Sequence, residues 1–133
     1  MDRLFLDANV LFSAAYKPEA RLLQLWRIKG VALCSSRYAF EEARVNLLQP
    51  DQQQAVQKLS GVLPLFEAAS FDLPRGITLP EKDRPIFSAA MEARATHLLT
   101  GDVQHFGPYL GRTFQGVAIM LPGQYLKSRE RQF

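Results

Sequence analysis

Residues 3–11 decide the fold, and they read Arg3-Leu4-Phe5-Leu6-Asp7-Ala8-Asn9-Val10-Leu11. Three consecutive apolar residues stop at an aspartate, which predicts a short, fully buried strand. An apolar helical pattern follows at residue 9, without a loop between the two. A buried strand that leads directly into a helix is typical of an α/β fold.

The same alternation continues along the chain. Further strands are predicted at residues 31–34, 62–66, 97–100 and 117–121, and helices at residues 9–15, 18–29, 36–48, 52–59 and 83–93. Pro64 places its strand at the edge of the sheet, because proline lacks the donor that a central strand needs. A loop is predicted at residues 68–80 and a short charged tail at residues 122–133.

The strands are continuous apolar runs, which is typical of a parallel sheet covered by helices on both faces. The predicted fold class is therefore α/β, as a three-layer α/β/α sandwich with a central parallel sheet of four to five strands. One domain is expected to span residues 1–133, because a chain of this length is typical of a single domain.

Composition excludes several classes of protein. The 133 residues are 47% hydrophobic and 22% charged, and no apolar run approaches the roughly 20 residues of a membrane span. Cys34 is the single cysteine, which excludes an internal disulfide and a cysteine-based zinc site. The first residues show no signal-peptide pattern, so the cytoplasm is the expected compartment. The net charge of +3 comes with many arginines, which keeps nucleic acid open as a partner class.

Acidic residues stand where the predicted strands end. Asp7 follows the first strand, Asp102 follows a later one, Asp83 opens the helix between strands, and Glu41 or Glu42 lies early in another helix. Parallel α/β sheets place their ligands outside the carboxyl ends of the strands. We therefore expect these side chains to lie close together.

Each acid also has a structural interpretation. Asp7 and Asp83 suit helix caps, Gly101-Asp102 suits a turn, and paired glutamates suit the first turns of a helix. Their concentration at one end of the sheet needs a further explanation. Two carboxylates 4 Å apart repel each other by about 4 kcal/mol at an effective dielectric near 20. Mg²⁺ or Mn²⁺ binds such hard oxygen ligands and removes the repulsion. If the acids converge, they predict metal-dependent phosphoryl chemistry.

Four segments resemble the motifs of the PIN domain family. Residues 4–11 (LFLDANVL) resemble its opening strand with the first acidic motif, and residues 42–47 (EARVNL) resemble the second. Residues 83–90 (DRPIFSAA) resemble the third, and residues 98–106 (LLTGDVQHF) the fourth. The closing residues 121–126 (LPGQYL) are also similar, so the resemblance extends over nearly the whole chain.

The resemblance implies a metal-dependent ribonuclease, and many bacterial members of this family are VapC-like toxins that a partner antitoxin neutralises. It assigns Asp7, Glu42, Asp83 and Asp102 as catalytic residues that hold one or two Mg²⁺ or Mn²⁺ ions. Glu42 is preferred to Glu41 because it begins the family's Glu-Ala-Arg pattern. The implied mechanism is in-line hydrolysis of an RNA phosphodiester by a water that the ions activate, with no side-chain nucleophile.

Other residues receive supporting roles. Asn9 resembles a family position that hydrogen-bonds near the first aspartate, although an Asx turn also explains it. Thr100 could orient Asp102 or bind a water, although it could also be an ordinary β-branched strand residue. His105 is either a proton donor or, as the sequence favours, a surface residue of a turn. Candidate RNA phosphate contacts, chosen because arginine binds two phosphate oxygens at once, are Arg44, Arg84 and Arg112.

The expected partners are an RNA substrate, an antitoxin protein and a second copy of the chain, with no membrane. The alternative function is a PIN-like module that binds RNA or protein without cutting, which would keep the fold and lose the metal. An aspartate-based phosphatase has a second aspartate where this chain has Asn9, and a receiver domain has a lysine that ends a late strand. Neither pattern is present, and no glycine-rich phosphate loop is found.

Overall fold

A central sheet organises the computed structural model, which describes residues 1–130. Its six strands within these residues are β1 (Asp2–Leu6), β2 (Val31–Ser36), β3 (Leu65–Phe66), β4 (His97–Leu99), β5 (Thr113–Phe114) and β6 (Val117–Met120). They lie in the order β3-β2-β1-β4-β6-β5, and every neighbouring pair is parallel except β5 and β6. The predicted α/β class is therefore confirmed, and the predicted parallel sheet is found except at one edge.

Helices fill the connections between the strands. They are α1 (Ala8–Tyr16), α2 (Arg37–Asn46), α3 (Pro50–Gly61), α4 (Arg84–Glu92), α5 (Val103–Phe106) and α6 (Pro122–Glu130), with 3-10 helices at Arg21–Arg27, Glu81–Asp83 and Gly107–Tyr109. The chain crosses from β1 to β2 to β3 in one direction and returns to β4 in the other. Because such crossovers are right-handed, α1, α2 and α3 lie on one face of the sheet and α4 on the other. None of the described helices is both long and apolar enough to span a membrane.

The core lies around the two central strands. Leu4, Phe5 and Leu6 of β1 have no exposed surface, and the same holds for Leu98 and Leu99 of β4. Strands that are covered on both faces need apolar residues at successive positions, rather than at every second one. This is why the apolar runs in the sequence predicted the central strands.

The edge of the sheet beyond β6 differs from the prediction of four to five parallel strands. β5 pairs antiparallel with β6, through Thr113 opposite Ala118 and Phe114 opposite Val117. Gln115 and Gly116 connect the two strands with φ angles of 51° and 80°, as a two-residue hairpin turn requires. A strand of two residues is too short to show hydrophobic periodicity, so the sequence pattern missed it.

Two predicted helices have different bounds. Residues 18–29 form only the 3-10 helix Arg21–Arg27, in which Leu25 is the one buried residue. The helix predicted at residues 52–59 starts earlier, with Pro50 as the first residue of α3. Proline suits that position because the first N–H groups of a helix need no partner within it.

The predicted charged tail is mostly helical. Residues 122–130 form α6, and residues 131–133 of the predicted tail lie outside the described residues. Tyr125 and Leu126 are buried, and the Tyr125 hydroxyl donates a hydrogen bond to Asp2 Oδ2 at 2.6 Å. Burial of these apolar side chains stabilises a helix whose charged composition had indicated a tail.

Candidate active site

A cleft lies at the carboxyl ends of the central strands, and all four predicted acids line it. Asp7 follows β1, Asp102 follows the end of β4, Asp83 ends the 3-10 helix before α4, and Glu42 lies on α2. The cleft has a volume of about 540 Å³. β1 lies between β2 and β4, at the point where the chain connections diverge and such sheets open a ligand crevice. The four side chains therefore meet in space, and their roles as metal ligands stay a prediction.

Asp7 is the most deeply buried of these acids, with 4% of its surface exposed. Its Oδ1 accepts a hydrogen bond from the Ala8 N–H at 2.6 Å, which caps α1. Its Oδ2 accepts hydrogen bonds from Thr100 Oγ1 at 2.8 Å and from Asn9 Nδ2 at 3.2 Å. Burial raises the pKa of Asp7 to about 6, even though the hydrogen bonds lower it, and neighbouring cleft carboxylates add to the rise.

Asn9 and Thr100 connect the ends of β1 and β4. Thr100 is fully buried, and its Oγ1 accepts a hydrogen bond from the Asp102 N–H at 3.1 Å while it donates to Asp7. Asn9 Oδ1 accepts a hydrogen bond from the Gly101 N–H at 2.7 Å. These contacts hold Asp7 in a defined position relative to Asp102.

Asp83, Asp102 and His105 form a compact group at one side of the cleft. His105 Nδ1 lies 2.8 Å from Asp102 Oδ2 and 3.0 Å from Asp83 Oδ2. One candidate ligand atom from each of the three residues lies within 4.8 Å of the others. Asp102 also caps α5, because its Oδ1 accepts a hydrogen bond from the His105 N–H at 3.0 Å.

The prediction that Asp83 caps α4 is wrong. Asp83 precedes α4, but its side chain makes no capping hydrogen bond, and its backbone is helical with φ −97° and ψ −11°. An N-cap residue needs an extended backbone to turn its oxygen toward the free N–H groups. Burial raises the pKa of Asp83, His105 lowers it and Asp102 raises it further. The Asp83 carboxylate therefore lines the cleft without capping the helix.

α2 presents Glu42 to the cleft and Glu41 to the surface. Glu42 is half-buried and lines the cleft, where burial raises its pKa and Lys82 lowers it. Glu41 forms an ion pair with Arg44 at 2.8 Å, and both side chains are about half exposed. The placement agrees with the choice of Glu42 from the sequence.

The sequence analysis missed Lys82 in the cleft and favoured a surface position for His105, which contacts the cleft residues Asp83 and Asp102. Lys82 lines the cleft, and it lowers the pKa of Glu42 and Asp83. His105 was expected at the surface, but only 23% of its side chain is exposed. Its spacing of three residues from Asp102 could have identified it, because residues at that spacing share one face of a helix.

The predicted phosphate-binding arginines lie outside the lining of this cleft, as far as the described residues show. Arg44 is paired with Glu41. The Arg112 guanidinium lies 5.0 Å from the centre of the Phe114 ring, and Arg84 is exposed at the start of α4. Their contact with RNA stays a prediction.

Comparison with known proteins identifies the family. A family model described as PIN domain matches residues 3–104. This chain belongs to the PIN domain family. The predicted family is confirmed, and the part of the PIN domain that the family model matches contains all four acids of the cleft.

A solved structure supports the fold of this PIN domain. The crystal structure of FitAcB from Neisseria gonorrhoeae is similar over 90% of this chain and 98% of that chain, with a TM-score of 0.53 and 20% sequence identity. At this identity the similarity shows the fold alone. No curated protein matches the PIN domain described here.

Proposed function

We propose that this PIN domain is a metal-dependent endoribonuclease that hydrolyses RNA phosphodiesters. PIN domains are in general nucleases. The observation that carries the proposal is the convergence of Asp7, Glu42, Asp83 and Asp102 in one cleft. Without a cation at this cleft, the mutual repulsion of these acids would destabilise the folded chain.

The residues of the cleft fit Mg²⁺ or Mn²⁺. Four carboxylates supply the hard oxygen ligands that these ions bind. Asp83 Oδ2 is buried and has no hydrogen-bond partner among residues 1–130, although buried carboxylate oxygens normally have one. Asp7, Glu42, Asp83 and Asp102 would hold the ion or ions. When bound, such an ion activates water and stabilises negative charge on the attacking and leaving oxygens.

The chain's own residues orient these acids. Thr100 and Asn9 hold Asp7 Oδ2 by hydrogen bonds, and the backbone of α1 holds the other oxygen. Lys82 brings one positive charge to the cleft lining, where an ammonium can contact a phosphate. Without the metal, the acids would repel an RNA phosphate, so we expect RNA binding at the cleft to require the dication.

Asp7→Asn tests the proposal. The substitution keeps the size of the side chain but removes its negative charge, so we expect RNA cleavage in Mg²⁺ or Mn²⁺ to fall on the order of 100-fold or more. Glu92→Gln is the matched control, because this exposed acid at the end of α4 lies outside the cleft lining, and its rate should stay near that of the parent. Cleavage of a fluorescent single-stranded RNA measures both. If purified Asp7→Asn protein cuts as fast as the parent, the assignment is wrong.

Arg44, Arg84 and Arg112 stay proposed phosphate contacts. Replacing a contacting arginine by alanine should weaken RNA binding and reduce the slope of log affinity against log salt by roughly 0.7 for single-stranded RNA. Binding of a non-hydrolysable RNA analogue in Mg²⁺, measured at several salt concentrations with the parent and each arginine variant, gives this slope. An arginine whose removal leaves the slope unchanged does not contact phosphate.

An antitoxin protein and a second copy of the chain stay proposed partners, as the resemblance to VapC-like toxins implies. The cytoplasm stays the proposed compartment.

The non-catalytic alternative, a module that binds RNA or protein, predicts no metal binding. Calorimetric titration with Mn²⁺ separates it from the nuclease. Failure of the parent protein to bind Mn²⁺ would favour the alternative.

A further inference from the structure

We propose that His105 is an imidazole ligand of the metal in this cleft, so that the site prefers Mn²⁺ or a later transition-metal dication to Mg²⁺. The proposal rests on the proposed function, because it requires that the cleft binds a dication. It adds a nitrogen donor to the four acids that the family resemblance assigns.

The spacing of the three ligand atoms fits one coordination sphere. Neighbouring ligands of an octahedral ion stand about 3 Å apart, because each lies about 2.1 Å from the metal. His105 Nδ1 lies 2.8 Å from Asp102 Oδ2 and 3.0 Å from Asp83 Oδ2. Asp102 and His105 are three residues apart, and helix bundles that bind two metal ions use acid and histidine ligands at the same spacing.

The Nδ1 hydrogen of His105 leaves one of the two neighbouring carboxylate oxygens without a hydrogen bond. Nδ1 holds at most one hydrogen, and its hydrogen-bond contact is with Asp102 Oδ2 at 2.8 Å. Asp83 Oδ2 stays without a hydrogen-bond partner among residues 1–130, although it lies 3.0 Å from the same nitrogen. Asp83 is only 8% exposed, so solvent does not compensate for the missing donor. A dication between the three atoms would accept a lone pair from each.

The metal preference follows from the donor atoms. Carboxylate oxygens suit both Mg²⁺ and Mn²⁺, whereas the hard Mg²⁺ ion takes oxygen ligands in preference to imidazole, which transition-metal dications accept more readily. A site of four carboxylates would therefore give little discrimination between the two ions. With His105 in the coordination sphere, Mn²⁺ should bind more tightly than Mg²⁺.

Pulsed electron paramagnetic resonance of the parent protein with one equivalent of Mn²⁺ tests the ligand directly. A coordinated imidazole gives nitrogen modulation of the Mn²⁺ signal, and a more distant one does not. The chain has two histidines, and the other, His97, lies at the start of β4 with its ring 5.2 Å from the Tyr125 ring. His97→Gln is therefore the matched control for His105→Gln. Nitrogen modulation is expected in the parent and in His97→Gln, but not in His105→Gln.

Calorimetric titrations with Mn²⁺ and with Mg²⁺ test the preference. His105→Gln should weaken Mn²⁺ binding about tenfold, a typical cost of disturbing a metal site, and should weaken Mg²⁺ binding less. His97→Gln should change neither affinity. An equal loss for both ions in His105→Gln would show that His105 only orients Asp102, and would overturn the proposal.

The outcomes separate this proposal from the nuclease proposal. If the parent binds Mn²⁺ without nitrogen modulation, His105 is not a ligand and the nuclease proposal stands. If the parent binds no Mn²⁺, both proposals fail. If His105→Gln fails to fold, the parent protein labelled with ¹⁵N-histidine provides the test. Ligation by histidine requires that the modulation of its Mn²⁺ signal change from the ¹⁴N to the ¹⁵N pattern.

Discussion

The two oxygens of Asp7 have different tasks. Oδ1 accepts the hydrogen bond that starts α1, whereas Oδ2 accepts hydrogen bonds from Thr100 and Asn9. The sequence left a helix cap and a metal ligand as alternatives for this residue. The structure shows the cap and places the same carboxylate in the cleft, so the two interpretations are compatible.

The raised pKa of Asp7 predicts how stability depends on pH in the absence of metal. The folded state keeps the Asp7 proton up to about pH 6, whereas the unfolded chain releases it near the ordinary pKa of 3.8. The contribution of Asp7 to the free energy of unfolding should therefore be largest below this window, fall as pH rises through it, and then level off. The shift corresponds to roughly 3 kcal/mol, and the raised pKa values of Glu42 and Asp83 act in the same direction.

Urea unfolding in EDTA, measured on the parent and on Asp7→Asn across this pH range, checks the prediction. Other carboxylates titrate in both proteins, so the difference between the two isolates Asp7. Asp7→Asn should gain stability relative to the parent as pH rises through the window. A difference that does not change with pH would contradict the prediction.

At the scale of elements, the starts of α2 and α4 contrast with each other. Ser36 Oγ accepts a hydrogen bond from the Ala39 N–H at 3.0 Å and caps α2, whereas Asp83 makes no such bond to α4. Serine and aspartate are both common cap residues. Residue type alone does not separate them, because capping also requires the extended backbone that Ser36 has and Asp83 lacks.

Substitution at these two positions should therefore have opposite results. Ser36→Ala should lower the free energy of unfolding by about 1 kcal/mol, the usual cost of a lost cap. Asp83→Asn should leave the melting temperature in EDTA unchanged or raise it, because it removes a buried negative charge beside Asp102. Thermal unfolding measures both, and a large fall for Asp83→Asn would mean that its carboxylate stabilises α4 after all.

The elements also show where sequence patterns succeed. β1 and β4 were predicted because their residues are buried on both faces, which requires a local run of apolar residues. The 3-10 helix at Arg21–Arg27 was predicted as an α-helix, because the two forms differ in hydrogen bonding rather than in composition. α6 was missed because its stability comes from Tyr125 and Leu126, which are buried against the rest of the molecule.

At the scale of the whole molecule, a metal in the cleft would connect distant parts of the chain. The four acids that are predicted to bind it come from the ends of β1 and β4, from α2 and from the 3-10 helix before α4. In the unfolded chain these positions are far apart, so the ion should bind the folded state almost exclusively. Metal binding and folding are therefore expected to be coupled.

This coupling predicts a rise in the melting temperature with Mn²⁺. At a concentration 100 times the Kd, binding adds about 2.7 kcal/mol to the free energy of unfolding, which is a shift of roughly 10 °C for a domain of this size. Asp7→Asn should show a much smaller rise, and Glu41→Gln should match the parent. Thermal melts over a Mn²⁺ titration measure this, and an equal rise in all three proteins would exclude the cleft as the binding site.

The sequence by itself determined the α/β class, the PIN domain family and the four acids that line the cleft. Each of these depends on a local pattern, such as an apolar run or a short motif. Only the tertiary structure decided that His105 joins Asp83 and Asp102, that Asp83 caps no helix, and that β5 extends the sheet. These features depend on which segments meet and how their backbones turn, and contacts between residues distant in the chain leave no periodic pattern in the sequence.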